Sequence, residues 1–389
     1  MTDRRGPLTG LNIIEMTGIG PVPYASMLLA DLGARVIRID RPGGYPAPDP
    51  TLDFAQMGAA SIFYRSRRMV KVDLKSALGR NLILRLIGRA DALIEGYRPG
   101  TMERLALGPS EAHAANPRLS YVRVTGWGQD GPMAQMAGHD LNYIGLSGAL
   151  SLFGRDSAPP RGLPPLVGDM AGGALFAVIG TLASIHAAKS TGQGQVVDSN
   201  IVDGSASLYS LLTALSAVGL HGPAGTNALD GGRHYYRTYA CSDGGYVAVG
   251  AIEPAFRWIL LDRLGLADDP CFSGTTTDDE AHCTKTLEDL FRTAPRAYWE
   301  RLFHDTDGCV TGILGPDDAA ADPRNTTRDV FTQIDGVRQA GPAPRFSETP
   351  GAISISPRDA SPSAPEALTE WGLDLAEIEA LIASSIVDS

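Results

Sequence analysis

A chain of 389 residues, 43% apolar and 20% charged, is long enough for two domains and has the make-up of an ordinary globular protein. A formal net charge of −11 argues against a nucleic-acid partner, because neutralising phosphates takes a basic surface. No window approaches the roughly 18–20 continuous apolar residues of a membrane span, and residues 1–6 carry charge with no apolar core behind them, so a cytoplasmic protein without a membrane partner is expected. The four cysteines, Cys241, Cys271, Cys283 and Cys309, have no metal-ligand spacing and no CxxC pair. No metal site is expected of them, and outside a secretory context they should be reduced thiols.

Taken in chain order, Asn12-Ile13-Ile14-Glu15-Met16 reads as a strand. A Gly/Pro turn at 17–23, a helix through 26–32 and a second strand at 35–40 follow. Further strands are expected at 69–74, 91–95 and 119–124. A helix at 76–89 repeats Leu82/Leu86 and Ile83/Ile87 at four-residue spacing. Strands separated by helices of this length imply βαβ units and a mainly parallel sheet, which binds ligands at the carboxyl ends of its strands. Residues 125–168 are rich in Gly and Pro, with a short helical stretch near 140–153. Helices are expected at 170–189 and 201–218, then a linker at 222–232. A hairpin at 235–241 and 246–251 turns on Ser242-Asp243-Gly244-Gly245. Helices near 254–265, 284–293 and 296–304 complete a smaller α+β region. The stretch 316–364 reads mostly as loop, and a last helix covers 365–385.

Several local patterns carry chemistry. Gly18-Ile19-Gly20 after the first strand, with Asp40 about twenty residues on, resembles a dinucleotide fingerprint, but Pro23 stands where its third glycine belongs. A tight turn is the plainer reading. Arg38, Arg41, Arg65, Arg67, Arg68 and Lys71 concentrate positive charge in an acidic chain. They form either a solvated face or an anchor for a ligand with several phosphates, such as the 3′-phospho-ADP of coenzyme A. Arg98, in Glu95-Gly96-Tyr97-Arg98-Pro99-Gly100, ends a strand where a ligand is met. His139, in Gly138-His139-Asp140, opens a helix that Asp140 is expected to cap, and a helix start leaves a neutral imidazole available as a base. Asp169, in Gly168-Asp169-Met170-Ala171-Gly172-Gly173, reads as the cap of the next helix. The two glycines inside that helix cost roughly 1 kcal/mol each, which suggests that something approaches its backbone closely. Glu253 opens a helix at Pro254, and Cys309 reads as a small buried residue.

Together these residues resemble the family III CoA-transferase superfamily and, within it, the α-methylacyl-CoA racemases. The resemblance runs from Leu8-Thr9-Gly10-Leu11 through Ala30-Asp31-Leu32-Gly33-Ala34, Leu93-Ile94-Glu95-Gly96-Tyr97-Arg98-Pro99-Gly100, Ala137-Gly138-His139-Asp140 and Gly168-Asp169 to Ala343-Pro344-Arg345-Phe346-Ser347. It implies an α/β fold with a Rossmann-like large CoA-binding domain, carrying the parallel sheet, from residues 1–190 and 320–389. A helical linker at 191–230 and a smaller α+β domain at 231–319 would complete an interlocked homodimer.

The resemblance also implies an acyl-CoA substrate, no metal and no redox cofactor. It gives His139 and Asp169 as the two bases of a 2-methylacyl-CoA racemase, an isomerase working through an enolate. Glu253 would be an active-site acid from the partner subunit, and Arg38 and Arg98 match positions that contact coenzyme A. Arg67, Arg68, Lys71 and Asp140 complete the expected substrate-binding set. The transferases of the superfamily use the same aspartate as a nucleophile and usually carry an aromatic residue where His139 stands, so the histidine favours proton transfer. CoA transfer through Asp169 is the alternative, and a non-catalytic CoA-binding protein is a third. The helix at 205–220 lacks the methionines of the racemases' acyl surface, so a differently shaped acyl group is expected.

Overall fold

Ile13 and Ile14 are both fully buried, yet they belong to different cores. Successive side chains of a strand point to opposite faces, so a strand apolar at consecutive positions is covered on both. The same holds for Val36 and Ile37, Leu93 and Ile94, and Tyr121 and Val122. In the computed structural model, which describes residues 4–44, 57–154, 158–273, 277–359 and 364–388, these pairs form the centre of a six-stranded sheet. Its strands are β1 (Asn12–Met16), β2 (Arg35–Asp40), β3 (Arg68–Lys71), β4 (Ala92–Glu95), β5 (Ser120–Thr125) and β6 (Gln195–Asn200). The order is β3-β2-β1-β4-β5-β6 and every pairing is parallel.

One face is covered by α1 (Pro21–Asp31) and, from further along the chain, the helical run Leu166–Thr191. The other is covered by α2 (Ala77–Ile87), α3 (Thr101–Arg104), α4 (Pro109–Ala115) and the C-terminal helices Ala364–Glu370 and Leu375–Ala383. Those last two replace the single helix expected over 365–385: Gly372, at φ 80°, breaks the run, and Asp374 caps the second piece by accepting from the Glu377 N–H. The remaining helices of this unit are α5 (Asp140–Ser147), a π-helical segment at Leu166–Leu175 continued by α6 (Phe176–Thr191), and α7 (Ile201–Leu208). The unit comprises Met1–Ala149, Gly162–Tyr209 and Thr327–Ser389.

Two expectations need correction here, and one apolar run stands beside them. The first helix begins at Pro21 rather than 26, because a proline at the first helical position lacks only an N–H that would be unbonded anyway. Residues 195–200, inside the expected helical linker, form strand β6, whose Val196-Val197 pair is too short to give a periodic signal. The run Leu166–Thr191 contains an 18-residue window of mean hydropathy 1.7, long and apolar enough to cross a membrane by length and composition alone, although Asp169 and Lys189 interrupt its apolar residues. Its Ala174, Ala177 and Ile185 are buried in the core on the α1 side of the sheet.

The second unit comprises Leu150–Arg161 and Ser210–Thr326. Its antiparallel sheet holds β7 (Tyr236–Ala240), β8 (Tyr246–Gly250) and β9 (Val310–Gly312). The hairpin lies where the sequence puts it, with Gly244 at φ 78° in the turn. Tyr239, Val247 and Val249 pack from the sheet onto Leu260, Leu287, Phe291, Trp299 and Phe303. The stretch expected to be loop holds, in the first unit, a second hairpin, Phe331–Ile334 with Val337–Ala340. Asp335 and Gly336 turn it at φ 50° and 80°, the two positive angles of a type I′ turn.

Candidate active site

The chain leaves β1 towards β2 and β3 on one side and takes up β4, β5 and β6 on the other. The carboxyl ends of β1 and β4 therefore flank the crevice at which such sheets bind ligands. Thr17-Gly18-Ile19-Gly20 leaves β1 there, and Gly96-Tyr97-Arg98-Pro99-Gly100 leaves β4. A Cβ on Gly96 would stand 2.8 Å from Val22 Cγ2 and 3.3 Å from the Val124 carbonyl oxygen, so only glycine lets this turn lie against the first turn of α1.

Asp169 lies over the other turn. A Cβ on Gly20 would come within 2.7 Å of its Oδ2, so the carboxylate covers the start of α1. Pro21 and Pro23 remove two of the N–H donors such a helix start usually offers an anion. Among the described residues the Asp169 oxygens accept no hydrogen bond. Burial, and then the neighbouring Asp140 carboxylate, push Asp169 up to about 6. Asp169 is not the helix cap it was expected to be. The π-helical segment starts at Leu166, three residues earlier, and the Asp169 N–H is itself capped by Asp140 Oδ1 at 2.6 Å. Gly168 is glycine because the Asp140 carboxyl occupies the place of a side chain there. The glycines of this helix are explained by packing rather than by a ligand. Gly172 faces the Ser205 backbone of α7 at 2.8 Å, and Gly173 faces Pro21 Cβ at 2.9 Å.

His139, and not Asp140, caps α5; its N–H donates to Asn142 Oδ1 at 3.1 Å. His139 is exposed, whereas Asp140 is turned inward, 7% exposed, with Oδ2 lacking a partner among the described residues. The bond from the Asp169 N–H to Asp140 ties the Asp169 segment to the residue that follows His139. Tyr143, one turn along α5, was not singled out from sequence. Its hydroxyl donates to the Gly138 carbonyl, and its ring meets Trp127 edge-on at 4.7 Å. Burial raises Tyr143, the Asp169 charge adds to this, and the Arg98 cation opposes it. Arg98 is exposed, and among the described residues no ion pair or hydrogen bond holds its guanidinium.

Of the other basic residues, Arg41 is exposed with its Nε donating to the Gly44 carbonyl, and the rest are paired with acidic side chains. Arg38 is 5% exposed, donates to Thr17 Oγ1 at 2.9 Å and Asp40 Oδ2 at 3.2 Å, and lies 3.9 Å over the Tyr64 ring. Arg67 is paired with fully buried Glu15, and Arg65 with Asp31 at 2.6 Å. Arg68 pairs with Glu366 at 2.9 Å and Lys71 with Asp388 at 3.6 Å. Arg38 keeps Nε and Nη1, and Arg67 keeps Nε and Nη2, buried and without partners among the described residues. Glu15, Thr17 and Tyr64 were missed in the sequence, and nothing local distinguishes Thr17 and Tyr64. A glutamate inside an apolar strand was the available signal.

In the second unit Glu253 caps the helix Pro254–Arg263 and is exposed. Cys309, expected to be buried, is half-buried at φ 53° and lines an open cleft of about 560 Å³ with Asp230, Tyr236, Arg237 and Thr311. Burial raises its thiol, and the charges of Glu253 and Asp307 raise it further.

A doubly covered parallel sheet, with an unbonded carboxylate and an exposed arginine at its switch point, defines an α/β protein with its candidate site there. The chain belongs to the CoA-transferase family III, which it matches over residues 8–363. It is 38% identical to the alpha-methylacyl-CoA racemase of Homo sapiens, over 98% of each chain. It is 30% identical to the acetyl-CoA:oxalate CoA-transferase of Acetobacter aceti, over 92% of this chain and 95% of that one. The crystal structure of a CAIB/BAIF family protein from Brucella suis superposes with a TM-score of 0.79 at 25% identity, covering 95% of this chain and all of that one. The protein is thus an enzyme of the family III CoA-transferase and racemase superfamily, as the sequence motifs implied.

Proposed function

We propose that this chain is a 2-methylacyl-CoA racemase, in which Asp169 and His139 exchange the α-proton of the thioester on opposite faces. The observation that carries the reading is the state of Asp169. Its oxygens are unbonded among the described residues, and burial beside Asp140 raises it to about 6, so it takes and returns a proton near neutral pH. Removing the α-proton moves charge onto the thioester oxygen as an enolate, and backbone N–H groups at the α5 start are available to receive it. Protonation from the other side by the second base inverts the carbon. Exposed Arg98 suits the phosphates of coenzyme A, whose binding positions the reacting carbon, and Arg38 and Arg67 would join it once their buried, partnerless donors are uncovered. Asp140 belongs to the same substrate site, while Arg68 and Lys71 would act at its edge. Glu253 would be supplied by the partner of an interlocked homodimer, the enzyme would need no metal or redox cofactor, and it would work in the cytoplasm. The 38% identity with the human racemase supports this reading.

CoA transfer is the second reading, favoured by the same unbonded carboxylate and by the 30% identity with the oxalate transferase. Asp169 would attack the thioester carbonyl, releasing the CoA thiolate and leaving an acyl–aspartyl anhydride. Incubating a 2-methylacyl-CoA in D2O without any acceptor acid separates the two. One deuterium gained at the α-carbon is expected. No exchange, with Asp169 trapped as a hydroxamate by hydroxylamine, overturns the racemase in favour of the transferase.

A further inference from the structure

Arg98 sits at the crevice without a partner of its own among the described residues, in a turn of five residues between β4 and α3. An exposed arginine on a free turn would spend most of its time in other rotamers and at other backbone angles, and each must be given up on binding. This turn is not free. Behind it, on the neighbouring strand β5, Arg123 is 7% exposed and bridges the two ends of the turn. Its Nε donates to Glu95 Oε1 at 2.9 Å, at the last residue of β4. Its Nη1 and Nη2 donate to Glu103 Oε1 and Oε2 at 2.8 and 3.3 Å, on α3. Glu95 and Arg123 are register partners in the sheet, so this end of the bridge is set by strand pairing. The other oxygen of Glu95, Oε2, accepts the Tyr97 N–H at 2.7 Å, which fixes the residue before Arg98. Gln135 Nε2 donates to the Pro99 carbonyl at 3.1 Å, which fixes the residue after it.

We propose that Arg123 is a positioning residue for the substrate: by clamping Glu95 and Glu103 across the Tyr97-Arg98-Pro99-Gly100 turn, it holds the Arg98 guanidinium in the orientation that meets the phosphate-bearing part of an acyl-CoA. The inference rests on the reading above, in which Arg98 contacts coenzyme A. Glu95 is fully buried and Glu103 is 43% exposed, so the two arms of the clamp can be tested separately. The Glu95 arm also holds the sheet. The Glu103 arm serves only the turn and the short helix after it.

The test measures coenzyme A affinity by calorimetry, together with kcat and KM for deuterium exchange. Arg123→Met strands the buried Glu95 carboxylate and risks the fold, so Glu103→Gln and Arg123→Lys carry the experiment, each checked by its unfolding midpoint. Each is expected to weaken CoA binding and raise KM by about five- to tenfold with kcat within about twofold, because the chemistry at Asp169 is untouched. In an Arg98→Ala background the same substitutions should cost nothing further, since they act through Arg98. If Arg98→Ala binds CoA poorly while folded Glu103→Gln and Arg123→Lys bind like the unaltered protein, or if the losses add in the double variants, the clamp is overturned. Arg98→Ala binding CoA as the unaltered protein does overturns the CoA-contact reading and the clamp with it.

Discussion

The strands of the sheet and the crevice at their carboxyl ends carry their charges in opposite ways. On the β1–β3 side, Glu15, Arg67, Arg38, Asp40, Asp31 and Arg65 are buried in ion pairs. On the β4–β5 side Arg123 is likewise buried in pairs with Glu95 and Glu103, but at the crevice itself Asp169 and Arg98 have no pair among the described residues. A buried charge with its partner costs little to keep, and it holds strands together. A charge without one keeps its chemistry, at the expense of stability. The paired charges are scaffold, whereas the unpaired carboxylate at the crevice is the one the proposed reaction would use.

The largest effect should come from Asp169→Asn. Deuterium exchange should fall by roughly a thousandfold or more, measured by mass increase of the recovered thioester. Stability should move the other way. A carboxyl raised from 3.8 to about 6 contributes most to stability when protonated, below the unfolded value, and that contribution is lost as pH rises through the folded value. The asparagine variant should therefore be more stable by about 1–3 kcal/mol at about pH 8, with a smaller gain at about pH 5. An unchanged denaturation midpoint at both would remove the contrast between the strands and the crevice.

Next in size is Glu15→Ala, which leaves Arg67 charged and buried beside Arg38. Urea unfolding should show a loss of about 3–5 kcal/mol. A loss below about 1 kcal/mol would mean that the paired charges are not scaffold. Smaller again is Asp140→Asn, which keeps an oxygen for the Asp169 N–H but removes the charge that raises Asp169. The acid limb of the exchange profile should move to lower pH, with activity near neutrality changing less than about tenfold. The smallest effect is expected at the edge of the sheet. Arg68→Ala breaks a pair with Glu366, whose side chain is 59% exposed, and should cost about 0–1 kcal/mol.

Much of this was legible in the order of residues. The β1, β2, β4 and β5 strands follow from runs of Ile, Val and Leu bounded by Gly and Pro, and their spacing implies the parallel sheet and a site at its carboxyl ends. Ser242-Asp243-Gly244-Gly245 announces its hairpin. Asp335-Gly336 carried an equally good signal, but the Pro- and Asp-rich surroundings obscured it. Gly168, Gly138 and Gly126 stand out in sequence without a reason. The reason is steric: the Asp140 carboxyl lies where Gly168 would carry a side chain, and the Tyr143 ring lies where Gly138 and Gly126 would.

What the sequence determined by itself is the set of elements and the motifs that tie the chain to its family, because both depend on neighbours along the chain. What only the tertiary structure decided is which charges are spent and which are free. Arg38, Arg67 and Arg98 are chemically identical in sequence. Arg67 is consumed by Glu15, fifty-two positions away, and Arg98 is held ready from behind by a clamp on the next strand. Asp169 gains its raised proton affinity from burial and from Asp140, twenty-nine positions away. Electrostatic energy depends on distance and burial in space, and neither is written in the spacing of residues.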